Sequence, residues 1–187
     1  MKTIALIIFA IIVLFFAFLI EENITSRLEV RRVERINEQM AILRDRAKSN
    51  PPDTQALNSM ISSLKSKDRW ERGAAIGFLG QVGDHAEPAV DMLVEALNST
   101  DPYDARGAAD SLGGIGPGAR RAIPALIKAV KQHDDADIGW FAAESLGHIA
   151  NSNDTEVITV LTQATKSSDE RMRFSANAGL QALGSSK

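Results

Sequence analysis

The sequence predicts an all-α chain, an α-solenoid of about four helix pairs behind an N-terminal transmembrane helix. Two observations lead there: a motif that recurs four times at spacings of 33, 34 and 34 residues, and an uncharged apolar run from Ile4 to Ile20. A third, the absence of cysteine, removes disulfides, thiolate metal sites and a cysteine nucleophile from consideration.

The apolar run comes first. Residues 3–20 as a helix measure roughly 27 Å, close to a hydrocarbon core of about 30 Å. Lys2 gives the run the charged start of an export signal, but it is longer than a cleavable core and Ala17-Phe-Leu-Ile-Glu-Glu22 offers no small-x-small cleavage site. The expectation is an uncleaved single-pass membrane anchor over residues 1–20. Arg27, Arg31, Arg32 and Arg35 beyond it would hold the following chain inside by charge counting, whereas the short basic start favours an exported C-terminal domain. The exported placement is the expectation adopted.

Residues 21–50 form a charged amphipathic segment in which Val33, Ile36, Met40, Leu43 and Ala47 follow a 3-4-3-4 spacing. Two heptads suit either a helix that caps the domain behind it or a stalk that pairs two copies through residues 33–47. Asn50-Pro51-Pro52-Asp53 ends that helix and starts another, which places the repeat domain at 51–187.

Within this domain Leu79, Leu112, Leu146 and Leu180 anchor the repeat. Four residues before each anchor stands Ala75, Ala108, Ala142 or Ala176, and three after it Val82, Ile115, Ile149 or Leu183. These offsets share one face of a helix, with alanines small enough for a neighbouring helix to approach. Eleven residues upstream stand Asp68, Asp101, Asp135 and Asp169, suited to cap the helix N-terminus, and Glu71 completes a capping-box pattern after Asp68. Glycines one and four residues past the anchor (Gly80, Gly113, Gly147; Gly83, Gly116, Gly184) read as helix ends. That disposes of Ser111-Leu-Gly-Gly-Ile-Gly-Pro-Gly-Ala119 as a phosphate cradle, because it follows a helix rather than a strand and lacks a Lys-Ser/Thr pair. Amphipathic runs at 53–64, 86–98, 119–132 and 154–165 supply the other helix of each pair.

Asp68-Arg-Trp-Glu-Arg72-Gly-Ala-Ala75-Ile-Gly-Phe-Leu79-Gly-Gln-Val-Gly83 resembles the HEAT-like repeats of the phycobilisome-lyase type. The resemblance extends over about residues 53–187. It implies stacked antiparallel helix pairs whose extended surface binds other proteins. The arginine of the motif, present at Arg72 and Arg173, is replaced by Ala105 with Arg106 beside it in the second copy, and by Gly139 with Trp140 beside it in the third, so a continuous arginine ladder is not expected.

Catalysis, cofactors and metal are not expected. Deoxyhypusine hydroxylase, which resembles these repeats, holds its iron with paired His-Glu dipeptides, and this chain has none. His85, His133 and His148 stand at unrelated offsets, and His133-Asp-Asp-Ala-Asp137 lacks the length and distal glutamate of a calcium loop. With 21 Lys and Arg against 24 Asp and Glu, the net charge of −3 argues against nucleic acid.

The remaining helix face, nine, six and two residues before each anchor, carries an aromatic in every copy: Trp70; Tyr103 with Arg106 and Asp110; Trp140 with Glu144; Phe174. Tryptophan, tyrosine and arginine are frequent interface anchors. Trp70, Tyr103, Arg106, Trp140 and Phe174 are therefore the candidate residues for an unidentified protein partner, with packing inside the repeats as the other use of the same rings. The function expected is a membrane-anchored, non-catalytic interaction scaffold. An accessory subunit of a lyase or other cofactor enzyme, and a structural homodimer held by the stalk, are the alternatives.

Overall fold

The computed structural model describes residues 2–132 and 136–185, with side chains for 24–131 and 137–184. The chain divides into two compact units, Met1–Glu38 and Gln39–Lys187. Helix α1 (Lys2–Ala47) begins in the first and ends in the second. The second unit continues with α2 (Thr54–Ser63), α3 (Arg69–Val82), α4 (Val90–Leu97), α5 (Pro102–Ile115), α6 (Ile123–Gln132), α7 (Ala136–Ile149), α8 (Thr155–Ala164) and α9 (Glu170–Ser185). Each of α2, α4, α6 and α8 packs against the helix that follows it, and α3, α5, α7 and α9 stack side by side as a second layer.

The expected N-terminal transmembrane helix is corrected. Among the described residues no helix is long and apolar enough to cross a membrane. Helices α2 to α9 run from 8 to 16 residues, roughly 12 to 24 Å, against a hydrocarbon core of about 30 Å. From residue 24 on, the described side chains of α1 include Arg27, Arg31, Arg32 and Arg35, so this part of the helix carries too much charge for lipid. Residues 1–23, where the span was expected, lie outside the described side chains. What stands is the all-α solenoid; the single-pass membrane placement, the membrane contact through residues 3–20 and the exported C-terminal domain fall with the span.

The repeat pattern accounts for the core. Ala75, Ala108, Ala142 and Ala176, the anchors Leu79, Leu112 and Leu146, and Val82, Ile115, Ile149 and Leu183 are all buried. Leu180, the anchor of the last described repeat, is only half-buried. At the other end Met40 and Ala47 of α1 are buried. Arg44 donates to Gln81 Oε1 at 2.7 Å and lies over the Phe78 ring at 5.3 Å, so the end of α1 covers the first repeat.

The caps follow the aspartates. Asp68 and Asp101 accept from the backbone N–H of Trp70 and Tyr103 at 3.0 Å, and Asp169 from that of Arg171 at 2.8 Å. Asp135 lies outside the described residues. The expected capping box does not form as drawn, since Glu71 accepts from Ser63 and Ser66 hydroxyls while the Asp68 N–H goes to Ser66 Oγ. The same Ser-x-Asp arrangement recurs at Ser99-Asp101 and Ser167-Asp169. Among the described residues only Gly83 and Gly116, at helix ends, take positive φ, 74° and 72°, the left-handed conformation that a side chain resists. Each is followed by a 3-10 turn, 83–89 and 116–122, so that α4 and α6 start later than the amphipathic runs suggest.

The glycines one residue past the anchor do not end helices. They sit inside α3, α5 and α7, where the next helix of the layer comes within contact of the backbone. A Cβ on Gly80 would lie 2.7 Å from the Ser111 Cα, one on Gly113 would meet the Ser145 hydroxyl, and one on Gly147 would lie 2.5 Å from the Gly179 carbonyl oxygen. The serines use the approach: Ser111 Oγ donates to the Ile76 carbonyl and Ser145 Oγ to the Ala109 carbonyl, both at 2.8 Å and buried.

Ion pairs tie successive repeats outside this seam. Arg72 pairs with Asp104 and donates to the Ser66 carbonyl, and Arg106 donates to Asp137 at 2.7 Å. The arginine ladder thus continues for one more step than the motif suggests, by the neighbouring residue. Arg120 grips Asp154 with two bonds of 3.0 and 2.9 Å. That guanidinium, and then the Asn151 N–H, holds the Asp154 carboxyl below the usual carboxylate range.

Gly147→Ala is expected to destabilise the fold by about 1–3 kcal/mol, the usual cost of overpacking. Gly73→Ala, whose Cβ would meet nothing within 4 Å, is expected to be neutral or stabilising by up to about 1 kcal/mol, both read by denaturant unfolding. Asp154 has its lowered value in the folded chain, so its contribution is present above the unfolded value of about 3.9 and is lost as pH falls through the folded one. Asp154→Asn is therefore expected to cost less than about 1 kcal/mol at pH 7, the pair being partly exposed, and the difference from wild type should close as the unfolding series is carried below about pH 4.

Candidate functional site

The face left over by the buried pattern is open. Trp70, Tyr103 and Phe174 are 45%, 67% and 74% exposed, and Trp140 is half-buried. The candidate residues fall into two groups. In the first, the Arg69 guanidinium lies over Trp70 at 5.4 Å and over Tyr103 at 5.2 Å, while Arg106 lies over Tyr103 at 5.1 Å. Arg106 also holds Asp137 and the Pro102 carbonyl, so much of its bonding is internal. In the second group Trp140 and Phe174 line one hollow, and Arg171 lies over the Trp140 ring at 4.7 Å. The Trp140 indole N–H is buried without an acceptor among the described residues, so packing and the Arg171 contact hold this ring.

That hollow, about 470 Å³, is completed by Phe141, Glu144, Glu170 and Ser175. A second of about 540 Å³ lies across α3, α5 and α7. Its floor is the seam itself, Gly80, Ser111, Gly113 and Ser145, and its sides carry Asp110, Phe141, Glu144 and His148. The two hollows share Phe141 and Glu144 and so adjoin along the second helices, together making a trench. Close helix approach accounts for the larger hollow, where Gly80, Gly113 and Gly114 leave no side chains to fill the line between helices.

Phe141, 38% exposed, is missing from the candidates drawn from sequence. It stands five residues before its anchor, one helical turn from Glu144, and the other copies have Ala74, Gly107 and Ser175 there, so no aromatic repeats to mark the position. Asp110 and Glu144 were visible two residues before their anchors but lack aromatic character. His148, on the surface as expected, belongs to the trench wall. The segment His133–Asp135 lies outside the described residues. Among the described residues no group of three or more His, Asp or Glu is placed to hold a metal ion.

A family model described as HEAT repeats matches residues 90–184, and one described as PBS lyase HEAT-like repeat matches residues 71–99. No curated protein matches the chain. Among solved structures, an engineered protein is similar at 23% identity and a TM-score of 0.56, over 70% of this chain and 63% of its own. The complex of CpcE and CpcF of phycocyanin lyase from Nostoc sp. PCC7120 is similar at 21% identity and a TM-score of 0.56, over 72% of this chain and 82% of that one. Human deoxyhypusine hydroxylase in complex with glycerol is similar at 22% identity and a TM-score of 0.55, over 68% of this chain and 43% of its own. The chain thus spans less than two thirds of the engineered protein and of the hydroxylase. At these identities the likeness is one of fold.

Proposed function

Since the chain belongs to the HEAT-repeat family, we propose that it works as a non-catalytic protein-interaction scaffold whose binding surface is the trench on α3, α5, α7 and α9. One observation carries this reading: Trp70, Tyr103 and Phe174 stand exposed on the same face as a trench that Phe141 and Trp140 line, where packing alone would have turned the rings inward. Exposed aromatic rings beside a hollow are the usual anchors of protein interfaces. The rings are held in place before a partner arrives, since the arginines above Trp70, Tyr103 and Trp140 restrict them. Such preorganisation lowers the ordering cost of association.

The surface is extended rather than enclosed, as stacked repeats dictate. It offers recognition along several repeats, and its seam of buried serines and glycines keeps the repeats in register beneath it.

A photo-crosslinking amino acid placed at Phe141 or at Phe174 in cells is expected to yield adducts with another protein. The same group at Ser59 or Thr159, exposed on α2 and α8, is expected to yield none of those adducts. Identical adducts from both faces would contradict the reading.

A further inference from the structure

The trench is acidic, and its acids are unspent. Asp110 and Glu144 line the larger hollow with no Lys or Arg among its lining residues, and Glu144 and Glu170 line the smaller one with Arg171 alone. None of the three carboxylates has an ion-pair partner among the described residues. The nearby cations are committed elsewhere: Arg72 to Asp104 and Asp101, Arg106 to Asp137, and Arg69 and Arg171 to aromatic rings. Apolar surface lies directly beside the acids, since Phe141 is common to both hollows and Phe174 is the most exposed large apolar side chain described.

Building on the scaffold reading above, we propose that the trench takes a segment of a partner protein that presents a Lys or Arg side chain next to an apolar one. The cation lies by Asp110 and Glu144, and the apolar neighbour lies on Phe141 and Phe174. Charge complementarity selects this occupant. An acidic or phosphorylated segment would bring like charge against three unpaired carboxylates, and like-charge juxtaposition is strongly unfavourable at an interface. A wholly apolar segment would bury those carboxylates without compensation. A long cationic side chain satisfies both halves of the trench, because its methylene stem covers aromatic surface while its head reaches an acid. The volumes of the two hollows, about 540 and 470 Å³, are each ample for such a side chain.

The test is selection from a random displayed peptide library on the full chain, followed by binding measurements on the selected peptides. Enrichment of Lys or Arg beside Leu, Ile or Phe is expected. Asp110→Asn/Glu144→Gln should weaken the selected peptides about tenfold, and raising the salt from 0.05 to 0.5 M should weaken binding to wild type but little to that variant. Both variants lie on exposed positions, and circular dichroism beside wild type checks that the fold is kept. Selection of acidic or uncharged peptides that Phe141→Ala/Phe174→Ala releases would overturn the basic occupant while leaving the docking face in place. Peptides indifferent to all four substitutions, or no selected peptides at all, would overturn the docking face as well. Arg27, Arg31 and Arg35 with the exposed Leu28 of α1 share the proposed chemistry. Concentration-dependent self-association in sedimentation, abolished by the two carboxylate changes, would therefore assign the trench to a second copy and overturn the separate partner.

Discussion

The contact on which the rest depends is the backbone-to-backbone approach of α3, α5, α7 and α9. It follows one rule along the stack. The residue one before each anchor meets the glycine one after the previous anchor: Ser111 on Gly80, Ser145 on Gly113, Gly179 on Gly147. In the first two pairs a serine hydroxyl reaches across to the carbonyl three residues before the previous anchor. In the third, Gly179 comes so near the equivalent Ala143 carbonyl that a Cβ would lie 2.6 Å from it. The exceptions stand in the first and last of the described repeats. Phe78 replaces the serine in the first copy and is covered by Arg44, and Gln181 replaces the glycine in the last.

From that approach both stability and surface follow. Helices this close bury alanine and leucine on one side while leaving a channel on the other, because the glycines contribute backbone and no side chain. Each repeat leans on its neighbours, as in any one-dimensional stack. The ion pairs across repeats fix the helix starts, and the arginines of the outer face are divided between carboxylates and rings. What remains unsatisfied, the aromatic surface and the three carboxylates, is concentrated along the trench, which gives the recognition argument its place and its charge.

Much of the repeat domain was legible from residues 53–187, since a leucine, an alanine and a capping aspartate at constant offsets can only mean the same helix built several times. The aromatic face was legible for the same reason. The seam was not, because a glycine at a helix end and a glycine at a helix contact look alike in sequence. Only the small residue of the next repeat, Ser111, Ser145 or Gly179, some thirty residues on, tells them apart. Phe141 escaped because its position carries small residues in the other copies, and a site formed between helices is not marked by repetition within them. The apolar run at residues 4–20 resembles a span by composition alone, and the described helices do not support one. The capping box at Asp68 failed for a local reason, two serine hydroxyls having claimed the Glu71 carboxylate first.

The seam is tested most directly by a double-mutant cycle of Gly113→Ala and Ser145→Gly, with unfolding free energies for the four proteins. If close approach at this point governs the stack, the methyl added at 113 is costly because it meets Ser145, and removing the Ser145 side chain relieves the part of that cost due to its Cβ and hydroxyl, leaving the Ser145 Cα at 3.0 Å. The expected outcome is a favourable coupling of about 1 kcal/mol, with Gly113→Ala harmful alone and less so in the Ser145→Gly background. Strict additivity, with the same cost for Gly113→Ala in both backgrounds, would contradict the central claim and return Gly113 to an ordinary helix position.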